Sequence, residues 1–317
     1  MNTQESAVRI KILGIGGGGT NAVERMIDSN VPMVEYVTIN TDDGSYLGSR
    51  AKTKVQIGRT NTNGRGAGAD SEKGKLYAEK SAGEIEMALN GCEMLFITAG
   101  MGGGTGTGAA PVVAKIAKKL GILTVAVVTK PFSFEGGYRK KQAESGIKNL
   151  EQCVDAMIVI PNDNLKNISN SRITLSNAFA VADDVLVQTV KSLVELIQNT
   201  AFINCDFADI TTILKNSGYV HVATGRAVGV DKTDLIIKQI KHSDLLDTSI
   251  NGATGVLLYM SIAGNVALED VDSISSEIST LSNEGVNFIF GLNFDERLND
   301  EIRVLVVATH NLNSKAS

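Results

Sequence analysis

Gly100-Met101-Gly102-Gly103-Gly104-Thr105-Gly106-Thr107-Gly108 is the stretch on which the fold turns. It follows the apolar run Met94–Thr98, a strand candidate, and precedes Ala109–Leu120, a helix candidate. Six glycines in nine positions weaken any segment that must hold its shape without a partner. Between a strand and a helix they have a use. Backbone N–H groups can approach a phosphate unobstructed, and the helix N-terminus favours its negative charge.

A second segment of the same kind lies upstream. Gly14-Ile15-Gly16-Gly17-Gly18-Gly19 follows the strand candidate Val8–Leu13 and leads into a helix expected over Asn21–Asp28. Alone it satisfies G-x-G-x-x-G, with Asp42 and Asp43 after the next strand, Val34–Asn40, so an NAD-dependent Rossmann oxidoreductase competes. A dinucleotide unit needs one such fingerprint. Two cradles on separate strands suit a longer phosphate chain gripped from both sides. No Lys follows either run in the Gly-x4-Gly-Lys-Ser/Thr pattern. Phosphate charge is then left to backbone N–H groups, the hydroxyls of Thr105 and Thr107, and a metal ion. Gly104→Val or Thr105→Ile is expected to harm nucleotide binding more than folding.

Outward from these loops, helix candidates Ala78–Leu89 and Gln142–Gln152 alternate with strand candidates Ile122–Thr129 and Ala156–Ile160. That β-α alternation predicts an α/β fold with a parallel sheet covered on both faces. Ile173–Asn199 reads as one long amphipathic helix. Beyond it, helices near Ile210–Lys215, Leu235–Ile240 and Val271–Leu281 accompany strands at Gly255–Ile262, Val286–Gly291 and Arg303–Thr309, a smaller α+β domain. The expected division is 1–172, a connecting helix 173–200, and 201–317.

The 317 residues are 43% hydrophobic and 21% charged, an ordinary globular composition, with net charge −5. There is no Trp and no basic run, so no nucleic-acid footprint is expected. Met1–Ala7 lacks the apolar core of a signal peptide, and no run is long enough to span a bilayer. Cys92, Cys153 and Cys205 are far apart and suit reduced thiols in the cytosol. His221, His242 and His310 have no metal-ligand spacing.

Gly100–Pro111 resembles the phosphate-loop signature of the FtsZ cell-division GTPases, relatives of tubulin. Six further stretches match in order: Ile39–Asp42, Gly66–Ala69, Pro131–Gly136, Ile160–Asp163, Ala182-Asp183 and Asn204–Asp209. The resemblance spans nearly the whole chain. It implies a Rossmann-like GTPase domain, a long central helix and a smaller α+β domain. It also implies GTP and GDP as ligands with Mg2+, head-to-tail self-assembly into filaments, partners among cell-division proteins without direct membrane insertion, and a cytoplasmic place at the division site.

The resemblance also assigns residues. Gly16, Gly17, Gly18, Gly19 and Thr20 join Gly100, Gly102, Gly103, Gly104, Thr105 and Gly106 around the phosphates. Ala67, Gly68 and Ala69 form the loop that senses the terminal phosphate. Glu135 holds the ribose, Arg139 lies along ribose and phosphates, and Asn162 lines the pocket. Phe179 packs on the base, Asn21 faces it, and Asp183 reads guanine. Asp206 and Asp209, with Asn204, enter the next subunit's site to orient the attacking water.

The residues alone allow blander readings. Glu135 and Arg139 could be a helix-surface ion pair, Asp183 a solvated carboxylate, and Asp206 and Asp209 a helix cap. Thr20 stands where the family more often has Asn. Gly218–Gly225 is bulkier than the family's usual run of small residues, which favours a GTP-binding paralogue with little turnover as an alternative. The chain stops at Ser317, without the family's usual linker and terminal peptide.

Overall fold

The structure is a computed structural model that describes residues 8–168, 173–198, 201–243 and 245–310. Met1–Ala7 and Asn199, on which two expectations fell, lie outside these residues. The chain divides into two compact units, Met1–Gln198 and Asn199–Ser317.

The first unit opens with strand β1 (Ile10–Ile15), helix α1 (Gly16–Asp28), strand β2 (Val34–Asn40), helix α2 (Asp43–Gly48), strand β3 (Thr53–Gln56) and the short helix α3 (Arg59–Thr62). Helices α4 (Ser71–Lys80) and α5 (Ala82–Leu89) then lead to β4 (Met94–Gly100), α6 (Thr105–Lys119), β5 (Leu123–Lys130), α7 (Gly137–Glu151), β6 (Ala156–Pro161), α8 (Leu165–Ile168) and α9 (Ala178–Gln198). The strands pair in parallel in the order β3-β2-β1-β4-β5-β6. Strand β1 is buried along its whole length, and β4 as far as Ala99. That follows from helices covering both faces of a parallel sheet. One core gathers Leu13, Ile15, Ile97, Val113 and Ala126. Strand order reverses between β1 and β4, and both glycine runs leave the sheet there. In open α/β sheets the ligand crevice lies outside the carboxyl ends of the strands at such a point.

Both helices begin earlier than their composition suggests. Helix α1 starts at Gly16 rather than Asn21, and α6 at Thr105 rather than Ala109. Glycine is a poor helix former, so sequence pattern places these residues in loops. The close approach of the two helix starts overrides that preference. The run Ala78–Leu89 is divided at Ser81 into two helices. Helix α9 packs against α1 and β5.

The second unit holds α10 (Phe207–Leu214), β7 (Gly218–Ala227), α11 (Lys232–Lys241), β8 (Gly255–Ile262), α12 (Leu268–Leu281), β9 (Asn287–Phe294) and β10 (Ile302–Thr309). Its strands follow the order β7-β10-β8-β9, with β10 antiparallel to β7 and β8, and β8 parallel to β9. Ile236, Leu258, Met260, Ile274 and Val306 form its core. The bulky segment Gly218–Gly225 is most of strand β7, where β-branched Val220 and Val222 belong. Among the described residues no helix is long and apolar enough to cross a membrane.

Candidate nucleotide-binding site

Helices α1 and α6 both begin without a side-chain cap and carry no acidic residue in the first turn. The first backbone N–H groups of a helix have no partner within it. At these two helices they converge at the ends of β1 and β4, where Ile15 is paired with Ala99.

The glycines here fall into two groups. A β-carbon on Gly19 would overlap the Thr98 carbonyl, and one on Gly106 would lie 2.7 Å from the Gly100 oxygen. One on Gly104 would lie 2.9 Å from Ala67 Cβ and from Asp70 N. Backbone packing demands glycine at those positions. Gly104→Val therefore disturbs the seat of the 67–70 loop as well as the cradle, and its effects on binding and packing are not separable. At Gly17 and Gly103, by contrast, a β-carbon would meet nothing within 4 Å, and neither has a positive φ. Their lack of a side chain leaves open space above the helix starts, which is what an approaching phosphate needs.

Hydroxyls brace the cradle. Thr41 Oγ1 and Thr105 Oγ1 are 2.7 Å apart. Thr107 is buried, and its hydroxyl accepts from Gly102 N–H at 2.8 Å. It therefore shapes the loop, in place of the exposed phosphate contact expected for it. Thr20 is also buried, with its hydroxyl accepting from the Asn40 amide at 3.1 Å. In the neighbouring loop Gly68 and Ala69 both have left-handed φ, +62° and +59°. Asp70 closes that loop by capping α4 through Glu72 N–H and Lys73 N–H. The Gln142 amide of α7 reaches the carbonyls of Ala69, Gly102 and Gly103.

The residues expected to hold the base and ribose are placed as follows. Phe179, half exposed at the start of α9, meets Phe132 and Phe134 edge-on, with centroids 5.5 and 6.2 Å away. Asp183, one turn further along, is not a solvated carboxylate. Burial pushes its pKa up to about 6, against the opposing pull of Arg25, whose Nε is 3.4 Å away. Asn21 is exposed on α1. Glu135 lies in a 3-10 turn ahead of α7, not on a helix surface; its Oε1 accepts from Phe132 N–H at 2.9 Å and its other oxygen holds Arg139. Asn162, only 5% exposed, has a buried Oδ1 without a hydrogen-bond donor. An unpaired buried polar atom costs about 1–3 kcal/mol, so a ligand donor here is favoured.

In the second unit, the acidic pair closes on itself. Asp206 caps α10 by accepting from Asp209 N–H at 2.7 Å, and Asp209 accepts in return from Asp206 N–H. Asn204 turns back to accept from Ala201 N–H. Asp206 is exposed, Asp209 partly so. Among the described residues no group of three or more His, Cys, Asp or Glu side chains could hold a metal ion.

Residues 9–170 match the model of the Tubulin/FtsZ family GTPase domain, and residues 218–311 that of the FtsZ family C-terminal domain. The chain belongs to the tubulin/FtsZ family. It is a GTPase and binds guanine nucleotide. FtsZ of M. jannaschii, solved as an empty dimer, is 39% identical with a TM-score of 0.89, over 97% of this chain and 89% of that one. Two proteins of Haloferax volcanii share the fold at 20% identity: CetZ2 in a GTPγS-bound protofilament (TM-score 0.79) and CetZ1 as a GDP-bound monomer (0.81). Each match covers 97% of this chain and 96% of the other. The oxidoreductase reading of the first glycine run is thereby overturned.

Two residues of this tubulin/FtsZ-family GTPase that composition did not single out also contact the candidate site. Arg25 gives no local signal, because its partners Asp183 and Asp184 lie far along the chain. Gln142 is likewise one polar residue among several on its helix, and its three carbonyl partners are known only once the loops are placed.

Proposed function

We propose that this GTPase polymerises head-to-tail and hydrolyses GTP where one copy's Asp206 and Asp209 meet the cradle of the next. The observation that carries the reading is the placement of that pair. They are held accessible at the start of α10 by their own backbone, in a different unit from the cradle. Near the cradle, Glu135 is committed to Phe132 N–H and Arg139. Phosphoryl transfer needs positioning and charge stabilisation above all, so a carboxylate supplied by a neighbour is sufficient to orient water. A contact joining two different surfaces is heterologous and can propagate as a filament. The dimer and protofilament forms of the relatives support this.

In this reading residues 1–172 bind the nucleotide, 173–200 connect, and 201–317 supply the catalytic segment. Asp183 accepts from the guanine ring N–H and amine, Phe179 packs on the base, and Asn162, Glu135 and Arg139 line the ribose side. Loop 67–69 faces the terminal phosphate, whose charge is shared by the two helix starts and Mg2+. The filament serves cell division in the cytoplasm, at the division site and with other division proteins. GTP turnover per subunit, measured against protein concentration, tests the proposal. It should rise steeply above a critical concentration; a flat profile would place hydrolysis within one subunit.

A further inference from the structure

Gln142 has an unusual set of partners. Its Nε2 lies 3.0 Å from the carbonyl oxygen of Ala69, 3.2 Å from that of Gly102 and 2.9 Å from that of Gly103. The amide group has two N–H bonds for three acceptors, so at least one is shared. The reverse orientation would set the amide oxygen against three carbonyl oxygens, so the donors must face this way. The three acceptors belong to two chain segments, the 67–70 loop that precedes α4 and the cradle that precedes α6.

Two further facts mark this as a clasp under load. Ala69 has φ +59°, which a residue with a β-carbon adopts only at a cost. Such residues persist where their surroundings over-determine them, and they gather at functional sites. On the cradle side, Gly102 has φ +99°, and a β-carbon there would lie 2.8 Å from the Arg139 carbonyl. Helix α7 thus touches the cradle at Arg139 and grips it at Gln142.

We infer that Gln142 is a positioning residue that locks the 67–70 loop to the phosphate cradle, and so makes the loop's conformation answer to the terminal phosphate. This rests on the reading that loop 67–69 faces that phosphate. Without the clasp the cradle keeps its own bracing through Thr107 and Thr41, so the inner phosphates are still held. The loop loses its tether, and what the terminal phosphate gains from an ordered loop is lost with it.

The experiment compares wild type with Gln142→Leu, which keeps the bulk and removes the donors, and with Gln142→Lys, which restores a donor at similar reach. Affinities for GTP and GDP are measured below the critical concentration, together with amide hydrogen exchange in the GTP-bound state. Gln142→Leu should bind GDP within about twofold of wild type while its ratio of GTP to GDP affinity falls about tenfold. Exchange should quicken at residues 67–70 and stay unchanged along 143–151, and Gln142→Lys should recover much of the ratio. Unchanged exchange at 67–70 would overturn the inference alone. Faster exchange with an unchanged ratio would contradict the reading of the loop as a terminal-phosphate sensor, and the inference would fall with it. Loss of both affinities in step, with faster exchange along α7, would reduce Gln142 to a packing residue.

Discussion

Helices α1 and α6 start bare, without a capping side chain, whereas α10 starts with Asp206 and Asp209 capping one another's backbone. A missing N-cap costs a helix about 0.5–2 kcal/mol. The first two helices bear that cost at the same place, and the third avoids it with two carboxylates. In α1 and α6 the unsatisfied groups are donors, which call for an anion from outside. In α10 the N–H groups of Asp206 and Asp209 are satisfied, and carboxylate oxygens remain to be offered outward. A site that lacks acceptors and a helix start that presents them are complementary, and each copy carries both.

The comparison breaks most severely at Asp209. Asp209→Asn keeps an acceptor for the Asp206 N–H, so the cap survives, but removes the charge proposed to orient water. Turnover should fall by about 100-fold or more, the usual worth of a positioned acid–base group, while GTP binding stays at wild-type strength. Both quantities come from one titration with labelled nucleotide and a phosphate-release assay. Equal turnover would make the pair a cap and nothing more.

The cradle glycines provide the next largest effect. Gly17→Ala and Gly103→Ala place a methyl group where nothing else of the protein lies. They should leave the melting temperature nearly unchanged and weaken GTP about tenfold or more, by blocking close approach to the backbone. Gly19→Ala should instead lower stability, because its methyl meets the Thr98 carbonyl. If all three behaved alike in both assays, the division of the glycines into packing and ligand positions would be wrong.

A pH titration sharpens the base pocket. Burial holds the Asp183 pKa at about 6, and the proposed contact with guanine needs the ionised form. Above pH 6 affinity should be flat; below it, a proton must first leave, and affinity should drop about tenfold per unit. The same shift makes the unfolded chain the better proton donor between 3.8 and 6, so this group favours folding more as pH falls through that window. Asp183→Asn should bind more weakly and lose the pH dependence. A smaller effect is expected of Phe179→Ala, which removes a half-exposed ring from the base: about fivefold to tenfold in affinity, consistent with aromatic–base stacking.

Much of the fold was legible because strands are short runs rich in apolar and β-branched residues: Val34–Asn40 and Gly255–Ile262 end where the sequence pattern ends them. Where pattern failed, packing had overruled it. The glycines of Gly16–Gly19 are helical although glycine disfavours helix. Strand β3 has a single buried apolar residue, Val55, too little for a periodic signal. The cradle was readable because glycine density is a local property. Arg25 beside Asp183, and Gln142 beneath two loops, were not. Their contacts are with partners 39 to 159 positions away, and nothing in their own neighbourhood announces them. The ion-pair reading of Glu135 and Arg139 had the right partners and the wrong setting, since spacing alone does not distinguish a helix from the turn before it.

The most direct test of the shared site mixes two inactive proteins. Asp209→Asn brings nucleotide without the carboxylate; Gly103→Val, once shown to fold and to enter filaments, brings the carboxylate without nucleotide. Head-to-tail junctions of one polarity then contain a complete site. Steady-state phosphate release from the mixture should exceed the sum of the separate proteins and peak near equal proportions. No gain from mixing, with both proteins present in the same filaments, would contradict hydrolysis across the junction.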